Sequence, residues 1–307
     1  MAEGGFVVRG EIDVEFHSEA KYSNTMREWF EGALRDLFSD ELEAILGGPP
    51  LDPKGMRGGV PLGPPDSWWG FCSLTERVGR NLRDSARVIS EKNLDWFYRK
   101  ISSGPFSATV GISKLGDNGS PRLRLARITV ERQEGAESWV RLGCDIPEYS
   151  LRDSGFQGAF LRFMKTQANT LGPSFGHVAH RYNLENTALE EVLGPPWLLA
   201  EQTVPESRQY LRGYSWVTLC PKELSSALGG KQELLESGAF CEVEELADGA
   251  IWLQATPEFA AYDDNHARAV WAAVSPALRP GVPMRSEPQP TDPPLHVVYE
   301  DARNAKP

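Results

Sequence analysis

The sequence predicts an α+β fold, a mixed and mostly antiparallel sheet with helices packed on it. Three observations lead there. Stretches with a two-residue apolar period lie beside stretches with a three-to-four-residue period. Tight-turn pairs such as Asp248-Gly249 join neighbouring strand patterns as hairpins. The regular strand–helix–strand alternation of a doubly wound sheet is missing.

Gly5–Phe16 reads as a strand, because Phe6, Val8, Ile12, Val14 and Phe16 alternate with polar neighbours. Ser23–Leu46 reads as a helix capped by Ser23 or Asn24, with Trp29, Phe30, Ala33, Leu34, Leu37 and Phe38 at spacings of three and four. Gly47-Gly48-Pro49-Pro50 ends it and opens a Gly/Pro-rich segment over 47–67, followed by Trp68-Trp69. Thr75–Ile101 is expected to be a second helix. Ser107–Lys114, Arg122–Arg132 and Ser138–Asp145 form an expected meander, turning at Gly116–Gly119 and at Glu134-Gly135. Asp153–Ala168 reads as helical, Ser174–Tyr182 as a strand and Asn186–Leu193 as a short helix. Gly194-Pro195-Pro196-Trp197 breaks the chain, and Tyr214–Cys220 is an apolar strand. Pro221 opens a helix at the first-turn position, where its missing N–H is harmless. Phe240–Leu246 and Ala250–Ala255 form a hairpin, and Pro257–Val274 is the last expected helix.

These elements suggest an N-terminal half over 1–150, a C-terminal half over 151–280 and a Pro-rich tail over 281–307, extended or disordered. The two halves are candidates for related units sharing one sheet, although no sequence repeat supports a duplication.

The chain has 307 residues, 40% of them hydrophobic and 24% charged, an ordinary balance for a protein with a proper core. Its net charge of -11 argues against nucleic acid as a partner, since a phosphate-binding face is basic. No basic start with an apolar run, and no long apolar stretch, suggests secretion or membrane insertion. The expected location is therefore the cytoplasm, with no membrane partner. Cys72, Cys144, Cys220 and Cys241 include no CxxC pair and read as free, mostly buried thiols in a reducing compartment.

Catalytic signatures are scarce. There is no GxSxG elbow, no phosphate loop and no GxGxxG. Gly58-Gly59 lacks the lysine and helix that a phosphate loop needs. His177 and His180 form an HxxH, but on a strand residues three apart face opposite ways and cannot share a metal. Structural or surface histidines are the plainer reading. Asp263-Asp264-Asn265-His266 reads as an acidic helix start favoured by the helix dipole. No catalytic residue, metal ligand or cofactor is expected.

Charge, in contrast, is concentrated. From Glu185 to Asp264 there are fifteen carboxylates and four basic residues, a surplus as large as that of the whole chain. The plain reading is a solvated acidic surface; the sharper one is a field that steers a basic partner. Glu242 and Glu244 would share one strand face, with Glu245 and Asp248 toward the turn, and Asp263 and Asp264 complete the candidate acidic contacts. Among nine tryptophans, Trp68, Trp69 and Trp197 fall in expected loops. Trp68 and Trp69 are candidate interface anchors, although core filling is the commoner role of large aromatics.

The runs Leu211-Arg212-Gly213-Tyr214-Ser215-Trp216-Val217-Thr218, Cys220-Pro221, Leu228-Gly229-Gly230, Ser237-Gly238-Ala239-Phe240, Trp252-Leu253-Gln254-Ala255-Thr256 and Tyr262-Asp263-Asp264 together resemble a bacterial family described as type VI immunity proteins. That family is linked to toxins delivered by contact-dependent secretion. The resemblance is clearest over roughly 170–280; further toward the N-terminus it extends mainly to element order. It implies a cognate toxin neutralised by stoichiometric binding, without a cofactor, and a basic toxin would suit the acidic surface. Two other readings stand beside it: an enzyme with a dispersed site around His177 and His180, and a structural or assembly subunit tethered by its Pro-rich tail.

Overall fold

A computed structural model describes residues 5–48, 62–182, 186–194, 198–285 and 289–305. The elements run β1 (Val7–Glu15), α1 (Glu19–Leu37), α2 (Ser39–Leu46), β2 (Trp68–Val78), β3 (Asn81–Val88) and α3 (Glu91–Ile101). The three long strands β4 (Ser107–Leu115), β5 (Pro121–Gln133) and β6 (Ala136–Pro147) follow, then α4 (Ser154–Leu171) and β7 (Phe175–His180). Short pieces come next: α5 (Ala188–Val192), α6 (Ala200–Thr203), β8 (Val217–Cys220), α7 (Lys222–Ser225) and α8 (Gly230–Glu236). The hairpin β9 (Glu242–Glu245) and β10 (Ile251–Gln254) and the helix α9 (Asp264–Val274) complete the order. The fold is α+β, with antiparallel strand pairing.

The chain forms two compact units. The first holds Phe16–Arg132 and Val140–Pro147. Its strands lie in the order β3-β2-β4-β5-β6. Gly70 of β2 shows how closely α2 approaches: a Cβ there would stand 2.6 Å from Ile89 Cδ1 and 3.2 Å from Ile45 Cδ1. Phe30 of α1 meets Phe97 of α3 edge to face at 5.1 Å. Apolar side chains packed this way supply the dominant stabilisation.

Two expectations for this unit are corrected. Thr75–Ile101 is not one helix: it is the end of β2, a turn at Gly79 (φ 64°), β3, and then α3 from Glu91. β3 is the outer strand of its sheet, and seven of its eight residues are exposed or half-buried, so it lacks the alternation that marks a strand. Arg77, Arg80, Arg83 and Arg87 recur at three and four and imitate a helix face. The helix expected over Ser23–Leu46 starts earlier, after Ser18, and breaks at Phe38, whose φ of -135° leaves the helical region while its ring is fully buried. Ser23 is a buried residue within the helix, not its cap.

The second unit holds Phe6–Glu15, Gln133–Trp139 and the chain from Glu148 onward. Its strands lie in the order β1-β7-β8-β10-β9. In the β1–β7 ladder Glu11 stands opposite His177, Asp13 opposite Phe175 and Val8 opposite His180. α4 approaches β1 so closely at Gly10 that a Cβ there would be 2.8 Å from Met164 Sδ. The β9–β10 hairpin turns at Asp248-Gly249 as expected, with Gly249 at φ 89° and the Asp248 carboxylate accepting from Ala250 N–H at 3.1 Å. The helix expected over Pro257–Val274 begins only at Asp264, because the Asp263 side chain accepts the N–H groups of Asn265 and His266 at 3.0 Å each and caps it.

The tail is extended yet held. Val298 is buried and its N–H donates to Tyr214 Oη at 2.7 Å, while Tyr182 donates to Pro294 O at 2.5 Å. The Gly/Pro segment over 49–61, including Gly58-Gly59, lies outside the described residues, as do Glu185 and Pro195–Trp197.

Candidate functional site

The chemistry of the second unit is organised by β7. Its alternation sends His177 and His180 to opposite faces. On the His177 side, β1 contributes Arg9, Glu11 and Asp13, all buried despite their charge. Arg212, in the loop before β8, joins them: Nη1 lies 2.5 Å from Asp13 Oδ2 and 3.4 Å from Glu11 Oε1. Its Nε and Nη2 donate to the two oxygens of Glu190 at 2.9 and 3.0 Å. This is the bidentate geometry that suits a guanidinium. Glu190 is itself fixed by a capping box with Thr187 at the start of α5.

Burial pushes the Glu190 carboxyl up, but the Arg212 guanidinium and the hydrogen bonds around it outweigh burial and hold the acid below its ordinary range. Burial also pulls His177 down to about 4, so it is neutral at neutral pH. Arg9, Glu11, Asp13, Glu190 and Arg212 are all buried, and each makes an ion pair within this cluster.

On the other side His180 borders a cavity of about 190 Å³. Its Nε2 lies 3.4 Å from Glu148 Oε2, and its ring meets Phe6 and Phe259 edge to face at 5.6 and 5.1 Å. Burial lowers the affinity of His180 for a proton, against the pull of Glu148. Tyr182, Tyr214, Tyr262, Trp216 and Phe259 line the same space, with His296 at its edge. Gln157 of α4 sets one wall: its side chain donates to Pro257 O and accepts from Phe259 N–H, both at 3.0 Å. Trp216 is set by its indole N–H, which donates to Thr256 O at 2.8 Å. His296 Nδ1 lies 2.7 Å from Asp264 Oδ1. The Tyr262 hydroxyl, in contrast, is buried without a hydrogen-bond partner among the described residues.

A wider depression of about 450 Å³ lies on the sheet of the first unit, lined by Ser73, Thr75, Asp84, Thr109, Arg127 and Glu131 among others. No histidine or cysteine lines it, so the His180 cavity is the better chemical candidate.

The acidic candidates fall in three places. Glu242 and Glu244 share one face of β9, and both reach Lys165 of α4 at 2.8 Å. Burial lowers the lysine's proton affinity, and the two glutamates more than restore it. Glu245 is exposed and has no ion pair among the described residues, and Asp248 shapes the hairpin turn. Asp263 caps α9 and meets His266 Nδ1 at 2.7 Å, while Asp264 binds His296. The aromatic pair does not lie in a loop. Trp68 and Trp69 begin β2; Trp68 is half-buried beside the Lys114 ammonium, and Trp69 is buried with Leu62, Val88 and Leu115. Trp197 lies outside the described residues.

Among the described residues no group of three or more His, Cys, Asp or Glu side chains is placed to hold a metal ion. Burial pushes the Cys72 and Cys220 thiols up to about 12, which leaves them unreactive; Cys241 is exposed beside β9. No described helix is long and apolar enough to cross a membrane.

Sequence reading missed the cavity. Tyr214, Trp216 and Tyr262 stand in the motifs quoted above, and that coincidence was the available signal. Glu148, Tyr182 and His296 carry no local mark of their role.

No family model and no curated protein matches the chain. Among solved structures, its fold is similar to that of the Pseudomonas aeruginosa T6SS protein PA0821, with a TM-score of 0.55 at 16% sequence identity, over 98% of this chain and 81% of that one. At that identity the likeness is one of fold.

Proposed function

We propose that this chain is a cytoplasmic protein of a type VI secretion system that neutralises a cognate, basic toxin by stoichiometric binding, without catalysis or a cofactor. Three lines support the reading: the motif resemblance over 170–280, the fold-likeness to a T6SS protein, and an acidic edge. The observation that carries it is β9. It ends the sheet order of its unit and presents Glu242, Glu244 and Glu245 against a single lysine, Lys165. Carboxylates on an edge strand discourage uncontrolled strand pairing, and the same charge raises the association rate of a basic partner.

The test is co-purification and inhibition with the toxin encoded beside this gene. The triple variant Glu242→Lys, Glu244→Lys, Glu245→Lys is expected to slow association at low salt by at least about tenfold. Unchanged kinetics would remove β9 from the interface.

One observation favours a second reading, an enzyme: His180 and Glu148 meet at a cavity edge, the arrangement of a general base and its orienting carboxylate. An activity of the purified protein that is lost in His180→Ala would establish it.

A further inference from the structure

The His180 cavity has an unbalanced set of polar groups. Two donors are committed, the Trp216 indole N–H to Thr256 O and the Tyr182 hydroxyl to Pro294 O, while the Tyr214 hydroxyl accepts from Val298 N–H. Acceptors remain. Glu148 uses Oε2 toward His180, and among the described residues Oε1 has no partner. The Tyr262 hydroxyl is buried and unpartnered among the described residues, with both its O–H and its acceptor lone pairs unused. Leaving such a group unpaired is costly, and in a native structure it points to an unfilled role.

Charge points the same way. No lysine or arginine lines the space, Glu148 is its one carboxylate, and burial disfavours the charged form of His180. Asp263 and Asp264 add negative potential at Tyr262, and Arg268, outside the lining, adds a positive one at Tyr214. The remaining lining is largely aromatic, the surface on which organic cations are held. At about 190 Å³ the cavity falls below the usual range of small-molecule sites, so it suits one side-chain-sized group and not a nucleotide or a drug-sized ligand.

We infer that this cavity is a binding site for a single organic cation, a guanidinium or alkylammonium on a short apolar stem, with Glu148 as its counter-charge and Tyr262 as a hydrogen-bond acceptor. Such a group is carried by a free small amine or by an arginine or lysine of a protein partner. The site stands independently of the toxin-binding proposal, because it is defined by the cavity alone.

The experiment titrates the full chain with three probes: n-butylguanidinium, N-acetylarginine methylamide, and N-acetylcitrulline methylamide as the uncharged isostere. Calorimetry gives affinity. The Trp216 indole resonance, assigned with Trp216→Phe, reports the location. Both guanidinium probes are expected to shift that resonance and to bind at least about tenfold more tightly than the citrulline probe. Binding of n-butylguanidinium with exclusion of the capped arginine assigns the site to free amines; equal binding of both assigns it to a partner's side chain. Glu148→Gln should weaken binding by about tenfold. Tyr262→Phe should weaken it severalfold without lowering the unfolding midpoint, since the hydroxyl it removes is buried and has no partner among the described residues. Equal binding of arginine and citrulline probes, no shift at Trp216, or unchanged affinity in Glu148→Gln would overturn the inference.

Discussion

His177 and His180 lie three residues apart on one strand, and the molecule treats them in opposite ways. His177 faces a closed cluster in which Arg212 answers Glu190, Asp13 and Glu11, and the cavity beside Arg212 and Glu190 holds only about 10 Å³. His180 faces aromatic rings, one carboxylate and open space. Burial drives both imidazoles toward neutrality, so the direction of that effect does not separate them. Enclosure does. A polar group locked among buried ion pairs is architecture, and one at the edge of a cavity of about 190 Å³ beside a buried unpartnered hydroxyl is a candidate for binding.

The largest expected effect tests the closed side. Arg212→Ala leaves buried carboxylates without their counter-charge and is expected to cost about 3–5 kcal/mol, read from urea unfolding. A smaller loss would mean that the cluster is wetter than its burial implies.

The next effect tests the closed side through pH. His177 binds a proton in the unfolded chain near its ordinary value but in the folded chain only near pH 4. Between those values the unfolded state holds more protons, so stability falls as pH falls. The loss attributable to His177 from pH 7 to pH 4 is on the order of 3 kcal/mol. His177→Gln should flatten that slope, and an unchanged slope would reassign it. Glu190 acts lower: its depressed acidity stabilises the fold above the ordinary carboxylate range, and that contribution is lost as pH drops through its folded value.

On the open side His180→Ala should cost only about 1–2 kcal/mol of stability. Its larger consequence should be on cation binding, measured by the same titration. The smallest effect concerns the acidic edge. Lys165→Met removes a pair of half-exposed ion contacts and should change stability by less than about 1 kcal/mol, because solvent screens them. A larger loss would mark β9 as structural, not merely displayed.

Elements with strong local signals were legible. β1 alternates apolar with polar residues in sequence, although the structure buries both of its faces, and Asp248-Gly249 supplies its own turn. β3 was not legible, because an outer strand exposed along most of its length carries no burial pattern, and its arginine spacing imitates a helix. The acidic candidates were legible as charge but not as partners: Glu242 and Glu244 are tied to Lys165, 77 and 79 residues away in sequence. Trp69 was legible as a large aromatic, not as the buried residue that packing against Leu62 and Leu115 makes it.

Sequence alone determined the α+β class, the alternation that separates His177 from His180, and the acidic surplus, because each depends on neighbours a few residues apart. Tertiary structure decided which charges are buried, which are paired and which polar atoms are left over, because Arg212 meets Asp13 across 199 positions of chain. It also brought Glu148, Tyr182, Tyr262 and His296 to one cavity. A cavity is empty space, and no single segment of chain carries the pattern of what surrounds it.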